Sequence, residues 1–572
     1  MKLEKKRYSY IIIAVISIIM CFGFKDYDIT LADDGFVHYL RVIGTVESLN
    51  EGIIPPLISQ YFVNNLGYGI NLFYNPIVTY IPAFLKMLLP FSYSYILKFF
   101  TCLTVFLSGI FMFEFCRNIF KNNNIAIISA VLYITAPYRL TDIYIRFAMG
   151  EFTAFVFIPI LLLGLYNLFY ENAEKSYYIT IGAVGLILTH TITLYYMCFF
   201  SILFVILNIK KLKSIKIIKK ILINIAFIVT ISAFFLVPLL ECKMFANYAI
   251  FDENIMQTNA EWVKGKTIPL SEIFLNNAKT DEDSNVLFRI GTPCLVFILI
   301  GVLIFKKIDN KYKKYYIINM VFSLLCIFMA SEYFPWDKLP NILCKIQYPW
   351  RMIGFLTVFL SIVCSINFCT FLDICTVNKP KAKTIFLCIM ICLITASGIV
   401  DILPYLQGMN DKENNNDIKY EEYILNNLSI GPMQINREYL PTKALMNLDY
   451  ISNRDENVKI MNRNANIKNT KKENLNYSFE YSNTEKNTIV ELPYLYYPYY
   501  NVKINNEKVD IIESSNGLIS LNLNGEGTVT LKYSLTIYSK IAYIISIISL
   551  IIFIIYVIKK KENIKLIEER EN

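Results

Sequence analysis

Long apolar runs separated by short polar loops extend from the N-terminus to about position 404, and one more follows near the C-terminus. A helix needs about 20 mostly apolar residues to cross roughly 30 Å of hydrocarbon. Twelve runs approach that requirement, at 8–24, 94–116, 125–137, 151–170, 177–190, 192–209, 221–240, 292–305, 315–331, 352–372, 384–404 and 537–558. The pattern predicts an α-helical polytopic membrane protein with about 12 transmembrane helices.

The first hydrophilic loop, residues 25–92, is longer than a simple connector. Its segment from Asp34 to about Asn50 has the pattern of a helix that ends at a glycine. The stretch 67–76 then combines glycine, aromatic residues and proline, and aromatic residues favour the membrane interface. We therefore expect interfacial helices in this loop.

The second hydrophilic segment, residues 405–536, begins with an asparagine-rich part and continues with alternating apolar and polar positions at 488–492, 501–504 and 527–533. A period of two between turn residues predicts a small antiparallel β structure. The predicted organisation is a transmembrane domain at 1–404, an extracytoplasmic domain at 405–536 that is mostly β toward its C-terminal part, a final transmembrane helix at 537–558 and a tail at 559–572.

Basic residues determine the predicted orientation, because short loops rich in lysine and arginine stay in the cytoplasm. The ambiguous stretch 71–89 contains Pro76 and Pro82, and every later basic loop would move outside if it crossed the membrane. As a re-entrant or interfacial hairpin it leaves the basic clusters cytoplasmic: Arg117 with Lys121, 210–220, 306–314, 379–383 and 559–561. The N-terminus and tail are then cytoplasmic, and both hydrophilic segments are extracytoplasmic.

Composition agrees with this class of protein. Of the 572 residues 55% are hydrophobic, and the mean hydropathy is +0.44. The net charge of +9 follows from the basic cytoplasmic loops, so we expect the lipid bilayer and no nucleic acid as a partner. Most of the 13 cysteines lie in apolar runs, where they act as small hydrophobic residues.

Candidate chemistry begins directly after the first apolar run, at Asp33 and Asp34. In a helix, Asp34, His38 and Arg41 are spaced i, i+4 and i+7 and share one face. An acid, an imidazole and a permanent cation would then point the same way at the membrane surface. The alternative is that Asp33 or Asp34 caps the helix.

Further charged residues fall on the same predicted side. Arg139, Asp142 and Arg146 have helical spacing, and they form either part of a site or an intrahelical ion-pair ladder. Glu151 begins an apolar run, where an ionised carboxylate needs a partner, and Arg146 is a candidate.

Two more residues lie where the chain is expected to be outside. His190 interrupts an apolar run, as a site residue or as a polar turn residue. Arg351 begins a span against the distribution of basic residues, and it either binds an anion or extends to the headgroups.

A carboxylate and arginines at the outer bilayer surface suit the transfer of a sugar from a lipid phosphate to an acceptor. The carboxylate can accept the proton of the attacking hydroxyl. Arginines bind the departing phosphate through their forked donors.

Several motifs together resemble the bacterial YfhO-like membrane proteins. These motifs are Asp34-Gly35-x-x-His38-x-x-Arg41, Ala136-Pro137-Tyr138-Arg139, Gly150-Glu151-Phe152 and Gln347-Tyr348-Pro349-Trp350-Arg351. That group is often described as membrane proteins with a 6-pyruvoyl-tetrahydropterin-synthase-related domain, and it is similar to GT-C glycosyltransferases. The resemblance implies a GT-C-like fold in a bacterial cytoplasmic membrane, a polyprenyl-phosphate sugar donor, a cell-envelope glycan or lipid acceptor, and Asp34 or Asp33 as the base.

The same resemblance raises the question of a metal. Pterin synthases of that name use a zinc site of three histidines, whereas this chain has two, His38 and His190. Some GT-C members use a divalent metal bound by acids, for which Asp33 and Asp34 are the candidates, although adjacent carboxylates on a helix diverge by about 100°. Two other functions stay open: a lipid-linked sugar transporter or flippase, and a non-catalytic envelope scaffold.

Overall fold

The computed structural model describes residues 2–25, 28–274, 288–410, 424–425, 431, 435 and 437–571. Helices dominate the chain up to position 410. In chain order they are α1 (Lys2–Cys21), α2 (Gly35–Asn50), α3 (Ile70–Phe73), α4 (Ile77–Leu88), α5 (Tyr93–Phe120), α6 (Asn123–Ile134), α7 (Pro137–Tyr144), α8 (Met149–Tyr170), α9 (Tyr177–Ile187), α10 (Thr191–Ile206), α11 (Ile215–Ile231), α12 (Ala233–Phe245), α13 (Ala260–Gly265), α14 (Leu270–Phe274), α15 (Thr292–Ile304), α16 (Asn310–Ala330), α17 (Met352–Cys375) and α18 (Pro380–Asn410). After them come α19 (Thr442–Met446), α20 (Leu448–Ser452) and the C-terminal α21 (Ile537–Glu571).

Within these described ranges, seven helices are long and apolar enough to cross a membrane, namely α1, α5, α8, α16, α17, α18 and α21. The pair α11 and α12 adds an eighth span if its two halves, bent by 67°, cross together. The chain therefore has the architecture of a multi-pass membrane protein. The other four predicted spans are helices α6, α9, α10 and α15, of 12, 11, 16 and 13 residues. The count of about 12 full-length spans is thus not confirmed.

The apolar run from 177 to 209 divides into two helices at the polar Thr189-His190 sequence. The His190 ring nitrogen Nδ1 accepts a hydrogen bond from the Thr193 backbone N–H at 3.4 Å and so caps α10. Helix α10 then returns toward the end of α8, where the Phe204 and Tyr170 ring centroids are 6.0 Å apart. Helices α9 and α10 therefore form a hairpin.

Basic residues from distant parts of the chain meet at one end of the helices. Lys121 forms an ion pair with Glu171 at 2.9 Å. Lys220 and Lys560 both bind Glu174, at 2.6 and 2.7 Å. The loop between α8 and α9 thus connects three of the basic clusters that the sequence assigns to one side.

A small antiparallel β region precedes the last helix. Its strands are β1 (Lys459–Ile460), β2 (Asn466–Glu473), β3 (Asn476–Leu495), β4 (Tyr500–Ile504), β5 (Glu507–Val509), β6 (Ile512–Glu513) and β7 (Leu518–Tyr533). The sheet has the order β1-β3-β7-β4-β5, while β2 pairs with β3 and β6 with β7. The β region that the alternating pattern predicts is confirmed.

The β region packs on the first hydrophilic loop. The Leu495 N–H donates to the Leu66 carbonyl at 2.9 Å, and the Tyr533 hydroxyl donates to the Pro55 carbonyl at 2.7 Å. Tyr497 is fully buried, and its hydroxyl donates to the Tyr439 carbonyl at 2.9 Å. The hydrophilic parts of the chain, which are far apart in sequence, thus form one body at the end opposite the lysine cluster.

Candidate functional site

The turn that follows α7 holds Asp33 and Asp34 in position. The backbone N–H groups of Asp33 and Asp34 donate to the carbonyls of Ile145 and Arg146, at 3.0 and 2.8 Å. Asp34 occupies the N-cap position of α2, but its side chain makes no capping hydrogen bond. Among the described residues its carboxylate has no hydrogen-bond partner, and its negative charge acts on Arg146 and on Tyr74. Asp33 is exposed, whereas Asp34 is partly buried.

The second half of the predicted face forms what we call the Arg41 cluster, which consists of His38, Arg41, Tyr74, Glu438 and Tyr439. Arg41 is 3% exposed, and its guanidinium lies 3.8 Å from the centre of the Tyr74 ring. Its Nη2 donates to the Tyr439 hydroxyl at 2.8 Å and to the Glu438 carboxylate at 3.4 Å. Its Nη1 is 3.5 Å from His38 Nδ1. Helical spacing correctly put His38 and Arg41 together.

Burial lowers the pKa of His38 well below its ordinary value, and the charges of Arg41 and His190 act in the same direction. The His38 ring is therefore neutral at pH 7. The only formal charges in the Arg41 cluster are those of Arg41 and Glu438.

A second group, the Glu151 network, consists of Tyr138, Asp142, Arg146, Glu151 and Arg351. Arg146 forms ion pairs with Asp142 and with Glu151, the latter at 2.9 Å. Arg351 Nε is 3.5 Å from the same Glu151 oxygen, and the Tyr138 hydroxyl donates to the other at 2.6 Å. All four charged side chains are at most 10% exposed. A buried charge is stable only with such partners.

Arg139 does not join this network. Helix α7 ends at Tyr144, so the predicted stripe of Arg139, Asp142 and Arg146 does not continue as one helical face. Arg139 is fully buried between helices, where Nη2 donates to Ser108 Oγ at 2.6 Å and the guanidinium lies 4.8 Å from the Phe155 ring centre. The structure therefore separates Arg139 from the other site candidates.

Tyr74 connects the Arg41 cluster with the Glu151 network. Its hydroxyl lies 3.5 Å from His38 Nε2. A Cβ added to Gly150 would approach the Tyr74 hydroxyl to 2.9 Å, the Thr189 carbonyl to 2.8 Å and the His190 ring to 3.1 Å. Glycine is required at this close approach, and both histidines come near the same point.

The donors present do not form a metal site. Among the residues that the structure describes, no group of three His, Cys, Asp or Glu side chains is placed to hold a metal ion. Asp33 and Asp34 have different exposure, and neither is joined by a third ligand of these types within the described chain. The described residues therefore do not form the three-histidine zinc site of a pterin synthase.

Four members of these groups, Tyr74, Tyr138, Glu438 and Tyr439, were not among the site residues expected from the sequence. Tyr138 lies in the motif Ala136-Pro137-Tyr138-Arg139 and Tyr74 in the aromatic stretch 67–76, so the sequence indicated their segments but not their side chains. Glu438 and its neighbour Tyr439 lie almost 400 positions from Arg41, and no local pattern indicates that contact.

Comparison with known proteins identifies relatives without assigning them an activity. A family model described as "6-pyruvoyl-tetrahydropterin synthase related domain; membrane protein" matches residues 72–408. An uncharacterized protein of Lactococcus lactis subsp. cremoris (strain MG1363) is 28% identical over 349 residues, which is 58% of this chain and 55% of that protein. The chain thus matches about half the length of this relative. Since the family model matches more than half of the chain, the protein belongs to the 6-pyruvoyl-tetrahydropterin synthase related family of membrane proteins, as the motifs at Arg139, Glu151 and Arg351 indicated.

Proposed function

We propose that the protein is a membrane glycosyltransferase of the GT-C type, which transfers a sugar from a polyprenyl-phosphate donor to a cell-envelope acceptor on the extracytoplasmic face. The observation that supports this most is the environment of Asp34. Its carboxylate has no hydrogen-bond partner among the described residues, and yet it lies within electrostatic reach of Arg146. A carboxylate that is fixed by its backbone and not used by the protein is suited to accept a proton from a substrate.

In the proposed reaction the acceptor hydroxyl oxygen attacks the anomeric carbon of the donor sugar. The bond between that carbon and the phosphate oxygen breaks, and the polyprenyl phosphate leaves with the electron pair. Asp34 accepts the hydroxyl proton, and a cationic side chain stabilises the negative charge on the leaving phosphate. Atoms and charges balance without a metal or a redox partner.

The proposal includes an orientation. The lysines that meet around Glu171 and Glu174 indicate the cytoplasmic end, because basic loops are retained there. Asp34, both groups of site residues and the β region then face outward. This orientation also requires four short helices to cross between the two ends, namely α6, α9, α10 and α15. Packing of short helices against longer ones supports such a crossing. In α10, for example, the Phe200 ring lies 5.0 Å from the Phe359 ring of α17.

The test uses membranes that contain each of two variants, Asp34→Asn and Asp33→Asn, with a labelled polyprenyl-phosphate sugar and an envelope acceptor preparation. We expect Asp34→Asn to lower transfer by about 10²- to 10⁴-fold, as for loss of a general base. Asp33→Asn is the matched control, because it removes the neighbouring, exposed carboxylate and should retain most of the activity. Full transfer in both variants would exclude the proposed base.

Arg139 favours one alternative function. A cation buried among helices α5, α7 and α8 is more typical of a transport path than of a surface-facing active site. A lipid-linked sugar transporter predicts that vesicles containing the protein move a labelled donor across the bilayer. Translocation that survives Asp34→Asn but is lost on Arg139→Gln would favour the transporter.

A further inference from the structure

The two groups of site residues differ in the balance of their buried charges. In the Glu151 network the two cations, Arg146 and Arg351, face two carboxylates, Asp142 and Glu151. Both cations lie within 3.5 Å of a Glu151 oxygen, so each already has an anionic partner inside the protein. A phosphate group therefore requires another cation close by.

Arg41 meets that requirement. Its guanidinium is buried and oriented by the Tyr74 ring, an arrangement that fixes the plane of the donors without consuming them. Its Nε is buried and has no hydrogen-bond partner. Since Arg41 donates to the Tyr439 oxygen, the hydrogen of the Tyr439 hydroxyl points elsewhere and can be donated to a second acceptor.

The anion that lies against Arg41 in this structure is the carboxylate of Glu438. The contact is 3.4 Å long, which is beyond the usual range of a charge-assisted hydrogen bond. The Glu438 side chain is 24% exposed, whereas that of Arg41 is 3% exposed. Glu438 is thus at the edge of the cluster and can turn into solvent at little cost, while Arg41 cannot.

We propose that Arg41 is the binding site for the phosphate group of the substrate, and that the Glu438 carboxylate is a built-in competitor that a phosphate displaces. This inference rests on the proposed function for the identity of the phosphate as that of a lipid-linked sugar. A phosphate group offers oxygens in the geometry of the guanidinium fork, and Arg41 Nε and the Tyr439 hydroxyl are the donors that remain for it. Asp34 occupies the N-cap position of the same helix, seven positions before Arg41.

Binding is measured on the purified full-length chain in nanodiscs, with three probes: inorganic phosphate, farnesyl phosphate and phosphatidylglycerol as a nanodisc component. Replacing Glu438 with glutamine removes the competing charge and keeps the shape of the side chain. We expect Glu438→Gln to tighten phosphate binding about tenfold, because it removes the negative charge that opposes a phosphate beside Arg41. Glu513→Gln is the matched control, since it also removes a carboxylate from an ion pair, with Lys443 at 2.9 Å, and should leave affinity unchanged.

Arg41→Lys gives the opposite result if the proposal is correct. It keeps the positive charge but lacks the fork, so binding should weaken about tenfold even in a variant that folds normally. Tightening with farnesyl phosphate alone supports a lipid-linked phosphate as the ligand, tightening with inorganic phosphate supports a free phosphate, and competition by phosphatidylglycerol supports a bilayer headgroup. An unchanged affinity for all three probes in Glu438→Gln would overturn the phosphate site.

The outcome is separable from that of the transfer assay. If Asp34→Asn retains transfer while Glu438→Gln still tightens phosphate binding, the base is wrong and the phosphate site stands. If transfer depends on Asp34 but Glu438→Gln and Arg41→Lys bind phosphate as the natural chain does, the base stands and the phosphate site is wrong.

Discussion

The Glu151 network and the Arg41 cluster use similar residue types, but they are assembled in different ways. The Glu151 network joins side chains of α7, α8 and the start of α17, whose helices are packed against one another, and both of its cations contact Glu151. The Arg41 cluster joins α2 to the short turn at Arg437–Tyr439, and its cation has one distant carboxylate. The first arrangement stabilises a fold, and the second leaves a cation able to bind something else.

This difference distinguishes charged residues that stabilise the fold from charged residues that are available to bind a ligand. Removing one member of a balanced, buried network leaves its partners without compensation, and stability is lost. Replacing Glu438, which competes for Arg41, should instead alter phosphate binding without unfolding the protein. The following predictions test that division, beginning with the largest effect.

Glu151→Gln should destabilise the protein by about 3–5 kcal/mol, because it leaves the buried Arg146 and Arg351 facing Asp142 alone. Thermal unfolding of the purified protein in one detergent measures the effect. Glu171→Gln serves as the control, since its ion pair with Lys121 is solvent-exposed and contributes at most about 1 kcal/mol. Equal shifts in both variants would contradict the structural role of the Glu151 network.

Gly150→Ala should destabilise by about 1–3 kcal/mol, because the new Cβ would lie 2.8 Å from the rigid Thr189 carbonyl and 2.9 Å from the Tyr74 hydroxyl. Displacing Tyr74 should also disturb Arg41, so phosphate binding is expected to weaken together with stability. Gly265→Ala, with no atom within 4 Å of the added Cβ, is the control and should leave the unfolding temperature the same or slightly higher. A fully stable Gly150→Ala variant would show that the two groups are not joined at this point.

His38 should make stability depend on pH in the acidic range. Its folded-state pKa is depressed, so the unfolded chain takes up a proton below its ordinary pKa of about 6.5 while the folded protein does not. The contribution of the neutral His38 ring to the free energy of unfolding is fully present above about pH 6.5. Below that value the free energy of unfolding decreases by up to about 1.4 kcal/mol for each pH unit. In unfolding measurements between pH 7 and 5, His38→Gln should lose less stability than the natural chain, and parallel curves would refute a neutral buried His38.

Arg139→Met should change stability least, by about 1 kcal/mol in either direction. Nε and Nη1 of Arg139 are buried without hydrogen-bond partners, so an apolar side chain of similar size removes a desolvated charge together with its one bond to Ser108. Sugar transfer and phosphate binding should also be retained. Loss of phosphate binding in a stable Arg139→Met variant would show that Arg139 belongs to the substrate site.

Several features of the molecule followed from local sequence patterns. The apolar runs correctly predicted where helices form, because burial in lipid needs only composition and length. Alternation correctly predicted β strands at 488–492, 501–504 and 527–533, which lie in β3, β4 and β7. Helical spacing brought His38 beside Arg41. The ends of α9, α10 and α15 lie within three residues of the runs predicted at 177–190, 192–209 and 292–305. Whether helices this short cross a membrane depends on their packing against longer helices, which no local pattern encodes.

For Asp34 and Glu438, local sequence patterns did not predict which contacts the side chains make. The sequence placed Asp34 at the start of a helix, and only the structure shows that its side chain does not cap that helix. Tyr494, Tyr497 and Tyr499 are fully buried inside the protein, which the composition of their segment does not determine. Part of the hydrophilic segment, including 411–423, lies outside the described residues.

By itself the sequence determined a helical membrane protein with its basic loops on one side and a small β region after the main helices, because hydropathy and periodicity act over neighbouring residues. Tertiary structure decided which charges meet. Arg146 was expected to pair with Glu151, and it does, but packing of α7, α8 and α17 also brings Arg351, a candidate for binding an anion, to the same carboxylate. Arg41 instead meets, among the described residues, one carboxylate, that of Glu438 from the far end of the chain. Electrostatic interactions depend on distances between side chains and on burial, and neither is encoded in the spacing of residues along one segment.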